Sequence, residues 1–324
     1  MEENTAQRVD LTLFSEKIQE LKDRIASVIV GQEQTVDLIL TAILANGHVL
    51  IEGVPGVAKT LLARLTARLI DADFSRVQFT PDLMPSDVLG TTVFNMKTNG
   101  FDFHQGPIFA DIVLVDEINR APAKTQAALF EVMEERQISI DGTTHRMGDL
   151  YTILATQNPV EQEGTYKLPE AQLDRFLMKI TMDYPSLEEE VNILERHHTN
   201  AALVKLDDIV PAITKEELLS LRAFMNQVFV DRTLLQYIAL IVQQTRTSKA
   251  VYLGASPRAS VAMLQSSKAY ALLQGRDFVT PEDIKFVAPY VLQHRLILTA
   301  EAEMEGYSPV KVTQRLIDKV EVPK

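Results

Sequence analysis

Two glycines, a lysine and a threonine between residues 53 and 60 have the spacing of a phosphate-binding loop. The segment reads Gly-Val-Pro-Gly-Val-Ala-Lys-Thr and follows a short apolar run that ends at Ile51. Successive backbone N–H groups in such a turn can surround an anion, and the helix that follows adds partial positive charge. In this pattern Lys59 reaches the β- and γ-phosphates of a nucleoside triphosphate, and the hydroxyl group of Thr60 binds Mg²⁺.

The loop departs from the general pattern G-x-x-x-x-G-K-[ST] at one position, where Ala58 replaces the last glycine. Alanine keeps the backbone N–H group, and it costs about 1 kcal/mol if the position requires a positive φ. An ordinary Gly/Pro turn before a helix is the alternative interpretation of the loop alone. The predicted cofactor-binding residues of the loop are Gly53, Val54, Pro55, Gly56, Val57, Ala58, Lys59, Thr60 and Leu61.

Two adjacent carboxylates end a second apolar run, Ile112-Val-Leu-Val-Asp-Glu117. Burying paired acids at a strand end is costly, so the pair indicates a functional role. In a protein with a phosphate loop, Asp116 is predicted to hold Mg²⁺ through its water shell. Glu117 is predicted to accept a proton from the attacking water. The structural alternative is that both acids simply face solvent at the start of a helix.

A third apolar run is followed by Thr156-Gln-Asn158. An amide at the end of that strand can orient the lytic water or contact the γ-phosphate, although Asn-Pro is also a common turn. The place of this segment in the order of strands favours a catalytic role for Asn158.

The elements that must position these residues alternate between strands and helices, which predicts a parallel sheet with helices on both faces. The predicted strands are 48–51, 112–115, 151–155 and 176–180, and the predicted helices are 59–70 and 125–135. Two hairpins are predicted at Asn99-Gly100 and Asp141-Gly142, because these pairs suit two-residue turns in which both central residues have positive φ.

The pattern becomes helical after Tyr184-Pro185, and no further strand is predicted. Ser186, Thr214 and Thr280 are each followed three residues later by an acid, as in a capping box at a helix start. We therefore expect an αβα core over residues 1–184 and an all-helical second part over 185–324, with a loosely packed tail after about Gly306.

The 324 residues carry a net charge of −12, are 46% hydrophobic and include no cysteine. The length suits two domains, and the absence of cysteine excludes disulfides and thiolate metal sites. No signal peptide and no apolar run long enough to span a membrane is visible, so we expect a cytoplasmic protein without membrane insertion. The acidic total argues against nucleic acid as a partner and favours a protein.

These motifs together resemble the AAA+ superfamily of ATPases and, within it, the MoxR family. The resemblance is carried by the loop at 53–60 with its alanine, by Asp116-Glu-Ile-Asn-Arg-Ala-Pro122 and by Leu168-Pro-Glu-Ala-Gln-Leu-Asp-Arg-Phe176. It extends from about Val30 to just beyond the segment His294-Arg-Leu-Ile-Leu. It implies a P-loop NTPase core with a smaller helical lid, in which the two hairpins correspond to the helix-2 insert and the insert before sensor 1.

The resemblance also assigns roles to residues outside the two motifs. Val30 and Gly31 match the segment that packs near adenine, and Asn158 matches sensor 1. Arg258 follows Ser256-Pro257 at a predicted helix start and matches sensor 2, the lid arginine that contacts nucleotide. The alternative for Arg258 is an exposed surface arginine.

Arg175 matches the arginine finger, which reaches the γ-phosphate held by a neighbouring subunit and speeds phosphoryl transfer. The alternative for Arg175 is a structural ion pair with Asp174 or another acid. Arg120 is a second candidate for an intersubunit contact.

The resemblance implies an ATPase that binds ATP and Mg²⁺, forms a hexameric ring and acts as a chaperone-like remodelling or assembly factor. It further implies a partner with a von Willebrand factor A domain, or a role in metal-centre maturation. The alternatives are a motor that remodels DNA or RNA, an ATPase subunit of the magnesium-chelatase type, and a nucleotide switch with negligible turnover. The presence of Glu117 argues against the last of these.

Overall fold

A computed structural model describes residues 11–159, 165–166, 168–199 and 209–323 of the chain. In chain order the strands are β1 (Val49–Gly53), β2 (Phe74–Gln78), β3 (Gly90–Asn95), β4 (Gly100–Gln105), β5 (Ile112–Asp116), β6 (Gln137–Ile140), β7 (Thr143–Arg146), β8 (Thr152–Gln157), β9 (Met178–Met182), β10 (Val251–Leu253) and β11 (Ile297–Leu298). The helices are α1 (Leu11–Val28), α2 (Glu33–Leu44), α3 (Lys59–Leu69), α4 (Pro85–Leu89), α5 (Ala123–Glu135), α6 (Glu170–Leu173), α7 (Leu187–His198), α8 (Lys215–Phe224), α9 (Arg232–Thr247), α10 (Pro257–Leu273), α11 (Pro281–Leu292), α12 (Ala300–Met304) and α13 (Pro309–Asp318).

The core is a five-stranded sheet in the order β2-β5-β8-β1-β9. All neighbouring strands in it are parallel, as the alternation of strands and helices predicted. Strand β8 lies between β5 and β1, so the carboxyl ends of the three strands that carry the predicted motifs meet at one edge. We call this edge the carboxyl edge of the sheet and the opposite one the amino edge.

Alternate residues of the central strands enter two separate apolar clusters, one on each face of the sheet. Ile51 and Leu114 pack with residues of α2 and α3, whereas Leu50 and Val115 pack with residues of α5. Full burial of an aliphatic side chain contributes about 1.5–3 kcal/mol, so the two clusters hold the helices against both faces. This arrangement confirms the predicted αβα sandwich.

Strand β2 was not predicted. Its sequence, Phe-Ser-Arg-Val-Gln, contains two apolar residues among polar ones, and only Val77 is buried. Among the described strands it pairs with β5 alone and is the outermost strand on its side of the sheet, where a polar strand can face water.

The two hairpins form, but their turns differ. Asp141 and Gly142 both have positive φ, 51° and 80°, as predicted for a two-residue turn between β6 and β7. Between β3 and β4 only Asn99 has positive φ, and Gly100 is already paired with Asn95 in the ladder. The predicted Asn-Gly turn is therefore wrong: the connection consists of residues 96–99.

The second part of the chain is a helical lid, with α9, α10, α11 and α13 packed around a common apolar cluster. The predicted capping boxes form at the starts of α7, α8 and α11. Two predictions for this part are wrong. Strands β10 and β11 form a short antiparallel pair, which is too short to show a periodic pattern. The tail after Gly306 contains α13, whose residues Val312, Leu316 and Ile317 are buried.

Helix α8 is attached to the core by charged side chains. Nζ of Lys215 lies 2.5 Å from Oδ1 of Asp111. The guanidinium of Arg222 donates to the backbone oxygens of Asp149 at 2.6 Å and Ile43 at 2.5 Å. The predicted boundary at residue 184 stays a prediction, because core and lid residues share one apolar cluster.

Residues 293–295, at the end of α11, attach the lid to the entry of β9. Gln293 donates to the backbone oxygen of Lys179 at 2.5 Å, and Nε2 of His294 lies 3.0 Å from the backbone oxygen of Phe176. Arg295, whose side chain is only 4% exposed, lies with Nε 2.6 Å from Oδ1 of Asp174. Burial lowers the pKa of His294 well below its usual value.

Within the part of the chain that the structure describes, none of the helices combines the length and the apolar character that a bilayer crossing would need.

Candidate active site at the carboxyl edge of the sheet

The predicted phosphate loop connects β1 to α3 and has the backbone of an anion cradle. Ala58 has φ 61° and ψ 23°, in the left-handed region, at the position where the general pattern has glycine. Gly56 also has a positive φ of 89°. A Cβ atom at Gly53 would lie 2.7 Å from the backbone oxygen of Met182, so the close passage of β9 requires glycine there. The sequence pattern and the local geometry agree on a loop that can wrap a phosphate group.

The two residues predicted to act on phosphate and metal begin helix α3. Nζ of Lys59 donates to the backbone oxygen of Gly53 at 2.6 Å, so the side chain folds back across the loop. Oγ1 of Thr60 lies 3.5 Å from Oδ2 of Asp116. The hydroxyl and the carboxylate that are predicted to hold the metal therefore face each other.

These groups fit a magnesium ion that is bound together with a nucleotide. In such sites the protein usually supplies one or two oxygen ligands, and phosphate oxygens and water supply the rest. Thr60 is suited to be such a ligand, and Asp116 is predicted to hold the ion through a water molecule. Elsewhere in the described ranges, no cluster of three or more His, Cys, Asp or Glu side chains could hold a metal.

The carboxylate of Asp116 is almost fully buried, and both of its oxygens are engaged. The residue is 7% exposed. Oγ1 of Thr156 donates to Oδ1 at 3.0 Å, and Nε of Arg76 donates to Oδ2 at 2.6 Å. A buried carboxylate without partners would be costly, so these two contacts hold Asp116 in place and compensate its charge.

Glu117 has an unusual backbone conformation, with φ 56° and ψ 52°. Its N–H group donates to Oγ1 of Thr156 at 3.0 Å, and Oε2 lies 3.2 Å from Nη1 of Arg120. The left-handed conformation costs roughly 1–2 kcal/mol for a residue other than glycine. Strain of this kind is concentrated at functional sites. Arg120, predicted as a candidate for an intersubunit contact, is thus next to the predicted base of its own chain.

Asn158 lies directly after β8 and is 7% exposed. Because β8 is flanked by β5 and β1, this residue follows the strand between the acids and the phosphate loop. That is the place expected for a group that orients the lytic water, and the role of Asn158 stays a prediction.

Val30 and Gly31 lie in the turn between α1 and α2 and are half-buried. Gly31 has φ 74°, and a Cβ atom there would collide with the carboxylate of Glu189 in the first turn of α7. The turn therefore abuts α7, which follows the end of β9 beside Gly53. The predicted contact of Val30 and Gly31 with adenine stays a prediction.

Arg175 and Arg258 lie together at the amino edge, away from the phosphate loop of their own chain. Nη2 of Arg258 forms an ion pair with Oε1 of Glu134, and Nε of Arg175 lies 3.9 Å from Oε2 of the same carboxylate. Arg175 comes before β9, in which Met178 pairs with Val49 and Met182 with Gly53. The length of that strand, about 13 Å, separates the pair from the loop.

The contacts of the two arginines bear on the alternatives raised by the sequence. Arg175 does have an acidic neighbour, but this acid is Glu134, whereas Asp174 pairs with Arg295 and lies 3.9 Å from Arg258. The side chains of Arg175 and Arg258 are 31% and 49% exposed. Both can be reached from outside, and their predicted contacts with phosphate stay predictions.

Sequence reasoning missed three side chains of these clusters: Thr156, Arg76 and Glu134. Thr156 carries a partial signal, because it stands two residues before Asn158 at the end of a predicted strand. Arg76 could not be found, since its strand was not recognised. Glu134 is one acid among several in α5, and only the tertiary structure selects it.

Comparisons with known proteins agree with this fold and site. A model of the ATPase family associated with various cellular activities (AAA) matches residues 48–178, and an AAA lid domain model matches residues 243–318. A crystal structure of an inferred ATPase from Cytophaga hutchinsonii superposes with a TM-score of 0.89 at 40% identity, and the match covers 97% of each chain.

Several curated proteins are similar over nearly the whole chain. An uncharacterized protein, YeaC, of Bacillus subtilis is 47% identical over 93% of each chain. Chaperone MoxR1 of Mycobacterium tuberculosis is 44% identical over 92% of this chain and 80% of its own. Protein MoxR of Methylorubrum extorquens is 30% identical over 91% of each. With its αβα core, helical lid and phosphate loop, the chain belongs to the MoxR family of AAA+ ATPases.

Proposed function

We propose that the chain binds Mg-ATP at the carboxyl edge of the sheet and hydrolyses it with Glu117 as general base. The observation that supports this most directly is the arrangement of Thr60, Asp116, Thr156 and Glu117. Thr60, directly after a loop with anion-binding backbone geometry, faces Asp116, and Thr156 links Asp116 to Glu117.

Each side chain then has a definite task. The loop amides and Lys59 hold the β- and γ-phosphates, and magnesium, when bound, neutralises charge on them. Thr60 and Asp116 would hold that ion. Glu117 accepts a proton from the attacking water, and Asn158 orients this water.

The test separates binding from hydrolysis. The Lys59→Ala variant should lose ATP and ADP affinity in isothermal titration calorimetry, whereas Glu117→Gln should bind ATP and release no phosphate. Matched controls are Lys124→Ala and Glu131→Gln, which change exposed side chains on α5 and should leave both quantities unchanged. Nucleotide affinity that survives in Lys59→Ala would refute the phosphate site, and normal turnover in Glu117→Gln would refute the assigned base.

We also propose that the active unit is a hexameric ring in which Arg175 and Arg258 of one subunit complete the site of the next. Their position at the amino edge supports this, because neither can serve the loop of its own chain without a large movement. The mass of the Glu117→Gln variant with ATP, measured by sedimentation, should be about six times the chain mass of 36.3 kDa. A species that stays at the chain mass under these conditions would contradict the ring.

A protein is the proposed target of the ATPase cycle, as a chaperone-like remodelling or assembly factor. The net charge of −12 and the name chaperone carried by the Mycobacterium tuberculosis relative support this choice. A partner with a von Willebrand factor A domain, or metal-centre maturation, is the expectation from the family. The rival is a nucleic-acid motor, which would show ATPase stimulation by DNA that falls steeply with salt. Absence of that stimulation is the expected result.

A further inference from the structure

The carboxylate that is predicted to hold the metal already pairs with a cation from its own chain. Nε of Arg76 lies 2.6 Å from Oδ2 of Asp116. The same oxygen is the one that faces Oγ1 of Thr60 at 3.5 Å, while Oδ1 accepts from Thr156. Arg76 and the water shell of a magnesium ion would therefore compete for one oxygen atom.

The two partners differ in how freely they can move. The side chain of Asp116 is 10% exposed and cannot turn toward water, whereas that of Arg76 is 51% exposed. Arg76 stands on the edge strand β2, and within the described residues its other side-chain hydrogen bond goes to Oε1 of Gln78 at 3.3 Å. The guanidinium can therefore swing into solvent without disturbing the core, and the carboxylate stays.

A hydrated divalent ion and a guanidinium group that approach the same carboxylate oxygen repel each other. We propose that Arg76 is a displaceable counter-ion of the metal site. It neutralises Asp116 in the absence of metal and has to leave Oδ2 when magnesium arrives with the nucleotide. Arg76 thereby sets the magnesium concentration at which nucleotide binds. This inference rests on the proposed function of the site.

The direct test is ADP binding by calorimetry over a series of magnesium chloride concentrations. In Arg76→Met the half-saturating magnesium concentration should fall about fivefold, the value expected for a partly exposed ion pair at 1.4 kcal/mol per factor of ten. Affinity for ADP in EDTA should not rise. Arg146→Met, which removes an exposed guanidinium from β7, should leave the magnesium requirement unchanged.

Two further measurements distinguish competition between Arg76 and magnesium from other effects of the substitution. Arg76→Lys retains the positive charge, so its magnesium requirement should stay close to that of the unaltered chain. Magnesium chloride without nucleotide should raise the melting temperature of Arg76→Met but not that of the unaltered chain, because only the variant leaves Asp116 without its cation. Arg76→Gln can replace Arg76→Met in these measurements if Arg76→Met does not fold.

An unchanged or higher magnesium requirement in both neutral variants would overturn the proposal, since Arg76 would then be inert or would assist the ion. This outcome differs from failure of the proposed function. In the latter case the unaltered chain itself would not bind ADP at any magnesium concentration.

Discussion

The hydroxyl group of Thr156 lies 3.0 Å from Oδ1 of Asp116 and donates a hydrogen bond to it. The same hydroxyl accepts from the N–H group of Glu117 at 3.0 Å. One side chain from β8 thus fixes the acid that is predicted to hold the metal and the strained backbone of the predicted base. The two acids depend on a neighbouring strand for their orientation.

Thr156→Val keeps the shape of the side chain and removes both hydrogen bonds. We expect turnover to fall by about 10- to 100-fold, as for other groups that orient a metal ligand, while Mg-ADP still binds. Thr152→Val is the matched control, because Thr152 is buried in the same strand and its Oγ1 has no hydrogen-bond partner within the described structure. Phosphate release should be measured for both, and equal rates would refute the orienting role.

Mixing two inactive variants tests whether Arg175 acts on a neighbouring subunit. Arg175→Ala keeps an intact nucleotide site but lacks the finger, and Lys59→Ala lacks the site but keeps the finger. Because Arg175 and the phosphate loop lie at opposite edges of the sheet, a mixed ring of the proposed kind should restore complete sites.

We therefore expect each variant alone to be inactive and the mixture to hydrolyse ATP. Arg258→Ala should behave like Arg175→Ala in the same assay. A mixture that remains inactive, although pull-down through an affinity tag on one variant recovers the other, would assign Arg175 a purely structural role.

The backbone at Ala58 predicts a gain in stability on substitution by glycine. At φ 61° glycine avoids the steric cost of Cβ, so Ala58→Gly should raise the free energy of unfolding by about 0.5–1 kcal/mol. Ala63→Gly, inside α3, should lower it by about 1 kcal/mol or more, because glycine is unfavourable in a helix and Ala63 is buried. Urea denaturation checks both signs, and destabilisation by Ala58→Gly would show that the loop has no strain there.

Stability should fall between pH 7 and pH 5 because of His48. Its Nδ1 accepts from the N–H group of Ile153 at 3.0 Å, and Nε2 lies 3.1 Å from the backbone oxygen of Met133. The neutral ring therefore carries its proton on Nε2, and no position remains for a second one. Burial, with the nearby charge of Arg136, lowers the pKa of His48 from 6.5 to about 3.

The unfolded chain binds a proton on this group below pH 6.5 and the native state does not, so acid favours unfolding. The neutral ring of His48 stabilises the native state fully above pH 6.5. Its contribution to the free energy of unfolding should decrease by about 2 kcal/mol between pH 7 and pH 5. The His48→Gln variant should show a shallower decrease in urea denaturation over this range. If the free energy of unfolding decreased equally with falling pH in His48→Gln and in the unaltered chain, the effect could not be assigned to His48.

Local spacing was sufficient to predict the phosphate loop, the acid pair and the αβα core. These features depend on consecutive residues, such as Gly53 to Thr60, and on apolar runs that are buried on both sides. The hairpin turn at Asn99-Gly100 was misplaced, because a favourable pair does not decide where the ladder begins. Strand β2 was missed because an edge strand does not need an apolar pattern.

Relations between distant segments could not be read from the sequence. Arg76 and Asp116 are 40 residues apart, and Arg258 and Glu134 are 124 apart. Each pair consists of ordinary charged residues that only the strand order and the position of the lid bring together. The family resemblance named Arg175 and Arg258, but their shared acid becomes visible only in three dimensions.

The attachment of residues 293–295 to the entry of β9 has a mechanical consequence. A hydrogen-bonded strand hardly stretches, and the far end of β9 abuts Gly53, where the phosphate loop starts. Strand β9 therefore connects the two regions: the lid is hydrogen-bonded near its first residues, and the phosphate loop packs against its last residue. We therefore expect a displacement of the lid at the amino edge to move β9 as a unit and to reach the phosphate loop at the opposite edge.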